Sequence, residues 1–330
     1  METTMNPQTQ QKTALVLGAT GGIGGEVARR LVARGWSVTA LVRDPAKLGN
    51  RAPGISAIQG DAMNAQDVAR AAAGVALIVH AVNPPGYRDW EKLVLPMLDN
   101  TIAAARASSA GVLLPGTIYN YGPDAFDMID EDAPQHPLTR MGAIRVEMER
   151  RLRAAAADGV RTLIVRAGNF FGPKSGNNWF SQGLVKPGRP VTSVSDPSTR
   201  GVGHHWAYLP DVAETMVQLA ERDDLEDFAT FHMEGHWDTD GMQMIDAIRR
   251  VVGKPIKVRA FPWWLITLAA PFGALFRGLR EMHYLWQVPV RMSNARLVAK
   301  LGHEPHTPLD AAVRATLIDL KCLPIEGASA

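Results

Sequence analysis

The 330-residue chain is almost without cysteine, Cys322 being the single one. That excludes an internal disulfide framework and fits a reducing compartment, so a cytoplasmic protein is expected. Charge of one sign is also scarce. The formal net charge is +2, and this overall balance points to neither nucleic acid nor an anionic membrane. The first eleven residues hold no apolar stretch, so no secretory leader is expected there, only a loose polar tail. Internal repeats and low-complexity tracts are missing. No membrane span is expected either, because such spans need about 20 apolar residues. The bulkiest block, 261–272, is shorter than that and contains Pro271. Hydrophobic residues make up 46% and charged ones 21%, which suits a globular chain with a large core and one or two domains.

The richest stretch is 13–30. Ala14-Leu15-Val16-Leu17 is a short aliphatic run, as for a strand buried on both faces. Five glycines follow between Gly18 and Gly25, and then Val27, Ala28, Leu31 and Val32 recur at helical spacing. Strand, glycine turn and helix form the setting in which backbone N–H groups meet a pyrophosphate. The spacing is Gly18-x-x-Gly21-x-x-Gly24, however, not G-x-G-x-x-G.

Further runs read as strands at 37–42, 55–59, 75–82, 111–115 and 162–165, separated by helices at 64–73, 90–109 and 138–158. Asn83-Pro84-Pro85-Gly86 should break the fourth strand sharply, and Pro96 interrupts the second of these helices on paper. The alternation predicts an α/β fold, a doubly wound parallel sheet. The second strand ends at Val42-Arg43. With no acid there for a ribose 2′-hydroxyl and a guanidinium beside it, NADP(H) is expected over NAD(H). Residues 171–208 read as long loops with short elements, the material of a substrate lid, and 211–222 as a helix capped by Asp211. His80 reads as a satisfied core histidine, and His136 as a loop residue. The block 261–272 reads as lid or core, with a partly exposed subunit or membrane-surface contact as the alternative.

Five motifs together resemble the extended short-chain dehydrogenase/reductase family, also called NAD-dependent epimerase/dehydratase. They are Gly18-Ala19-Thr20-Gly21-Gly22-Ile23-Gly24, Gly60-Asp61, Gly116-Thr117-Ile118-Tyr119-Asn120-Tyr121-Gly122, Arg166-Ala167-Gly168-Asn169-Phe170-Phe171-Gly172-Pro173 and Tyr208-Leu209-Pro210-Asp211-Val212-Ala213. The resemblance implies a Rossmann-like domain of residues 12–170 and about 209–235, with a smaller C-terminal substrate domain of about 171–208 and 236–330. It implies a coenzyme site of Gly18, Thr20, Gly21, Gly22, Ile23, Gly24, Asp61, Ala62, Ala81 and Val82, joined by Arg43. Residues 293–302 resemble the family's terminal helix, which packs the small domain.

The family's Tyr-x-x-x-Lys pair is missing. The register places Met141 at the tyrosine and Arg145 at the lysine. Methionine moves no proton, whereas arginine still binds ribose hydroxyls. Thr117, Tyr119 and Arg145 are therefore the catalytic candidates. Tyr119 falls on the same face as Thr117 if the strand stays extended. Asn83, Thr117, Tyr119 and Asn169 are the substrate-binding candidates. Ile118 and Tyr119 stand where sugar dehydratases of the family carry acids. His204-His205 replaces an Arg-Asp of its sugar-nucleotide enzymes, and no spacing marks a metal site. The expected function is a hydride transfer between NADP(H) and a small carbonyl or alcohol. An epimerase with tightly held coenzyme and a non-catalytic NADP(H) sensor are the alternatives. A small-molecule substrate and a homodimer are expected, without nucleic acid.

Overall fold

The computed structural model describes residues 11–49, 53–84, 89–126, 128–176 and 178–324. Short aliphatic runs and helices alternate as β1 (Thr13–Leu17), α1 (Gly22–Ala33), β2 (Ser37–Val42), β3 (Ile55–Gln59), α2 (Ala65–Ala71), β4 (Leu77–His80), α3 (Trp90–Ser108), β5 (Gly111–Gly116), α4 (Arg140–Ala157) and β6 (Thr162–Arg166). Then come β7 (Asn169–Phe171), β8 (Ser193–Asp196), β9 (His204–Tyr208), α5 (Leu209–Ala220), β10 (Phe228–His232), β11 (His236–Asp238), α6 (Gln243–Val252) and β12 (Lys257–Ala260). The chain closes with α7 (Trp263–Ala269), α8 (Ala274–Glu281), α9 (Ala295–Leu301) and α10 (Leu309–Asp319).

Seven strands form one parallel sheet in the order β10-β6-β5-β4-β1-β2-β3. Winding reverses between β1 and β4, which opens a crevice at their carboxyl ends. Successive side chains of a strand point to opposite faces, and the aliphatic runs supply both. Leu15, Leu17, Ile78 and Leu114 pack under α3 and α4 with Leu98 and Leu152. Val16, Val38, Val79 and Val165 pack under α1 and α5 with Leu31 and Met216. A third cluster, with Phe171, Phe180, Trp206, Ile248 and Val313, surrounds the small sheet β11-β9-β7.

Residues 171–208 carry short elements among their loops: β8, the whole of β9 and a π-helical turn, Phe180–Leu184. Several other expectations change. α3 runs unbroken with Pro96 inside it. α5 starts earlier than expected, with Tyr208 at its N-cap. Asp211 is therefore no cap, and its carboxylate accepts instead from Thr307 N at 2.6 Å and Thr307 Oγ1 at 2.7 Å. α9 joins the large domain, because Leu297 is buried in the α1–α5 cluster and Lys300 Nζ reaches Asp224. The 261–272 block is mostly uncovered: Ala270 is buried, but α7 buries none of its residues and Phe272 is 88% exposed. The expected N-terminal tail (1–10) and the Pro85-Gly86 break lie outside the described residues. Among the described residues no helix is long and apolar enough to cross a membrane.

Candidate active site

A cavity of about 780 Å³ occupies the crevice between β1 and β4. Its floor is main chain. Gly18 takes φ +90°, a left-handed conformation that only glycine adopts freely, and an added Cβ would sit 2.4 Å from Ala81 O. The turn closes with Gly21 N donating to Gly18 O at 2.9 Å. α1 begins there with no side-chain cap and no acid in its first turn. Its leading N–H groups and the positive end of its dipole therefore remain for an anion. A pyrophosphate fits such a cradle. At the outer end, Arg43 and Lys47 line the cavity, while Asp44 accepts from Ala46 N at 3.1 Å and starts its own turn. Asp61 folds its Oδ1 onto Met63 N at 2.9 Å.

The inner end is made by side chains. Thr117 and Tyr119 follow β5, and the chain turns over 118–120 instead of staying extended. Both still line the cavity. Gly142 in the first turn of α4 allows the close approach that brings this helix against them, since an added Cβ would lie 2.3 Å from Tyr119 O. One turn on, Arg145 enters the cavity wall. Its guanidinium lies over the Trp90 ring at 5.4 Å, and Nη1 reaches Pro115 O at 3.5 Å. Met141 is 5% exposed, packs into the α3–α4 cluster and does not line the cavity.

A buried network fixes Thr117. Arg166 donates Nε and Nη2 to the two oxygens of Glu149, at 3.0 and 2.6 Å. Glu149 also accepts from Gln135 Nε2 at 2.9 Å and from Asn120 Nδ2 at 2.8 Å. The Asn120 amide is thereby oriented, and its Oδ1 accepts the Thr117 hydroxyl at 2.8 Å. Because that hydroxyl has one hydrogen, Thr117 offers the cavity only lone pairs. Among the described residues the Tyr119 hydroxyl has no hydrogen-bond partner, and the residue lines the cavity. Asn169 Nδ2 donates to His204 Nε2 at 2.8 Å, while His204 Nδ1 donates to Leu285 O at 3.1 Å. Burial brings His204 down to about 3, which keeps it neutral in this role.

The cavity thus brings together Gly18, Thr20, Gly21, Gly22, Ile23, Arg43, Asp61, Ala62, Ala81, Val82, Asn83, Thr117, Tyr119, Arg145 and Asn169. Gly24 is the exception, because it backs the loop, where an added Cβ would meet Gly18 O at 2.4 Å. His80 is buried yet is more than core. Its Nδ1 pairs with Thr101 Oγ1 at 2.7 Å, but Nε2 has no partner among the described residues and the residue lines the cavity. Burial first, then Arg145, lowers it to about 3. His136 is an exposed loop residue paired with Asp124 at 2.7 Å. Unforeseen lining comes from Ser175, Asn178, Trp179, Met282 and Leu285. These arrive from segments distant in sequence, Met282 and Leu285 from a 3-10 turn, and no local pattern announces them. Among the described residues no group of three or more His, Cys, Asp or Glu side chains could hold a metal.

The sequence pattern of NAD(P)H-binding proteins matches residues 18–194, more than half of the chain. The chain belongs to the NAD(P)H-binding family. Within the curated proteins, this family member is 30% identical over 178 residues to the 3-diazoavenalumate denitrifying reductase of a Streptomyces species, covering 49% of this chain and 57% of the relative. It is 28% identical over 213 residues to the uncharacterized protein y4nL of Sinorhizobium fredii, covering 58% of this chain and 60% of the relative. The chain therefore spans under two thirds of these relatives. Among solved structures, it resembles UDP-glucose 4-epimerase from Bifidobacterium longum in complex with NAD+ and UDP, with TM-score 0.71, 14% identity and coverage of 94% and 98% of the two chains. UDP-glucuronic acid 4-epimerase from Bacillus cereus in complex with NAD gives TM-score 0.70, 15% identity and coverage of 94% and 96%. At these identities the likeness is one of fold, the Rossmann-like fold of the extended short-chain dehydrogenase/reductases.

Proposed function

We propose that this NAD(P)H-binding protein is a reductase that prefers NADPH to NADH and reduces a small, rather apolar carbonyl compound. The observation that carries the reading is one cavity with the glycine cradle at one end and Thr117, Tyr119 and Arg145 at the other. Arg43 and Lys47 at the outer end favour a 2′-phosphate. Residues 12–170 and about 209–235, with α9, hold the coenzyme, and the remainder closes over the substrate.

The coenzyme supplies the hydride when bound. Gly18, Thr20, Gly21, Gly22 and Ile23 cradle the pyrophosphate, Asp61 and Ala62 meet the adenine, and Ala81 and Val82 flank the bound chain. Arg145 holds the nicotinamide ribose. Tyr119 gives its proton to the substrate oxygen and regains one from solvent. Thr117 accepts from a substrate donor, and Asn83 and Asn169 line the substrate's polar edge. Phe170, Trp179, Met282 and Leu285 give the pocket its apolar wall.

A second reading draws on buried Met141 and the similar Streptomyces reductase: an acceptor that takes hydride without a proton. Hydride added to the carbon of a diazonium group forms a C–H bond and releases dinitrogen, so no acid is needed. Both readings are tested by following NADPH oxidation against ketones, aldehydes and an aryl diazonium salt. Carbonyl turnover lost in Tyr119→Phe supports the first. Diazonium turnover unchanged in that variant supports the second. Silence across the panel, with coenzyme still bound, overturns both and leaves the sensor reading.

A further inference from the structure

Ten large hydrophobic side chains are exposed on the described surface, and six of them fall within 264–276. They are Trp264, Leu265, Leu268, Phe272, Leu275 and Phe276, from α7, α8 and the turn between them. Trp264 is 64%, Leu268 65% and Phe272 88% exposed. Single exposed hydrophobics are ordinary, but a contiguous set marks a contact surface.

Charge identifies the partner. Between 254 and 280 the chain has five cations (Lys254, Lys257, Arg259, Arg277 and Arg280) and no acid. All five are exposed, and none makes an ion pair among the described residues. Elsewhere surface arginines are mostly paired, as Arg34 is with Glu221 and Arg250 with Asp310. The hairpin is also anchored: Trp263 Nε1 donates to Pro197 O at 2.9 Å, and its ring lies 5.5 Å from that of Trp179. A fixed apolar ridge with aromatic residues and unpaired cations matches the boundary between acyl chains and anionic headgroups.

We propose that the α7–α8 hairpin seats this protein on the surface of an anionic lipid bilayer. It rests in the interface and does not cross it, since α7 has 7 residues and so spans only about 10 Å. A second copy of the chain fits poorly. A twofold contact would set the same patch against itself, bringing like charges together. The chain's overall charge of +2 conceals this region.

Co-sedimentation of the full chain with vesicles tests the proposal. Binding is expected with phosphatidylcholine vesicles containing phosphatidylglycerol, weakening as salt rises, and little is expected with phosphatidylcholine alone. The double variant Leu268→Asp/Phe272→Asp, and separately Arg277→Glu/Arg280→Glu, should lower the bound fraction about tenfold or more. Arg161→Glu, an exposed charge on another surface, should leave it unchanged. All these sites are exposed, so circular dichroism should match the parent. Equal binding to both vesicle types, or patch variants that sediment like the parent, overturns the proposal. A dimer that dissolves on Phe272→Asp, without vesicle binding, assigns the surface to a second copy and also overturns it.

Discussion

Around Gly18 the cavity is made of main chain, whereas around Thr117 it is made of side chains held by a buried ion pair. The first end rests on one left-handed glycine and the start of α1, so its chemistry is set by backbone N–H groups. The second depends on a relay from Arg166 through Glu149 and Asn120 to Thr117, contributed by β6, α4 and the turn after β5. A main-chain site admits few alternatives, and a side-chain site can be rewritten one residue at a time. That difference lets a protein keep a coenzyme cradle while the side chains at the other end change.

The comparison breaks most sharply at Gly18. Gly18→Val places a branched side chain at φ +90° and against Ala81 O, so coenzyme binding should fall by a hundredfold or more, roughly 3 kcal/mol. Calorimetric titration measures this, with a thermal melt to confirm folding. At the other end, Glu149→Gln strips the countercharge from Arg166, which is 1% exposed. Breaking such a pair costs about 3–5 kcal/mol, visible as a lower midpoint in urea. Next comes Tyr119→Phe. On the carbonyl reading, kcat drops about 10²–10⁴-fold while the coenzyme Kd stays put, which would show the two ends to be separable.

Much of this contrast is legible in sequence. The glycine cradle is local, so 18–24 locates it, and the aliphatic runs give six of the seven strands of the large sheet, β10 being the one not read. Arg145 lines the cavity where register puts it, and Tyr119 lines it although the chain turns over 118–120 instead of staying extended. What stays hidden depends on distant contacts. Asn169 was a candidate, but the His204 that orients it is stacked on Trp286 at 3.6 Å, an encounter no spacing reveals. Asp211 has the look of a helix cap and serves a loop 96 residues away. The 261–272 block is apolar enough for a core, but α7 buries none of its residues and only Trp263 packs inward.

A gentler probe is pH. His80 and His204 lie near 3, His205 and His236 near 4, and burial is the main cause for each. The unfolded chain takes up these protons near pH 6.5, so it binds more protons than the native state below that point. Stability should hold above about pH 6.5 and decline as pH falls toward 4, read as a falling melting temperature. His80→Gln should soften the decline only slightly.

The most direct measurement is titration of the purified chain with NADPH and NADH in parallel, by calorimetry and thermal shift. NADPH should bind at micromolar Kd and raise the melting temperature. NADH should bind about tenfold more weakly, and Arg43→Ala should close that gap, which is worth about 1.4 kcal/mol. No heat and no thermal shift with either coenzyme would contradict the coenzyme site itself. Equal affinities unaffected by Arg43→Ala would contradict the preference alone.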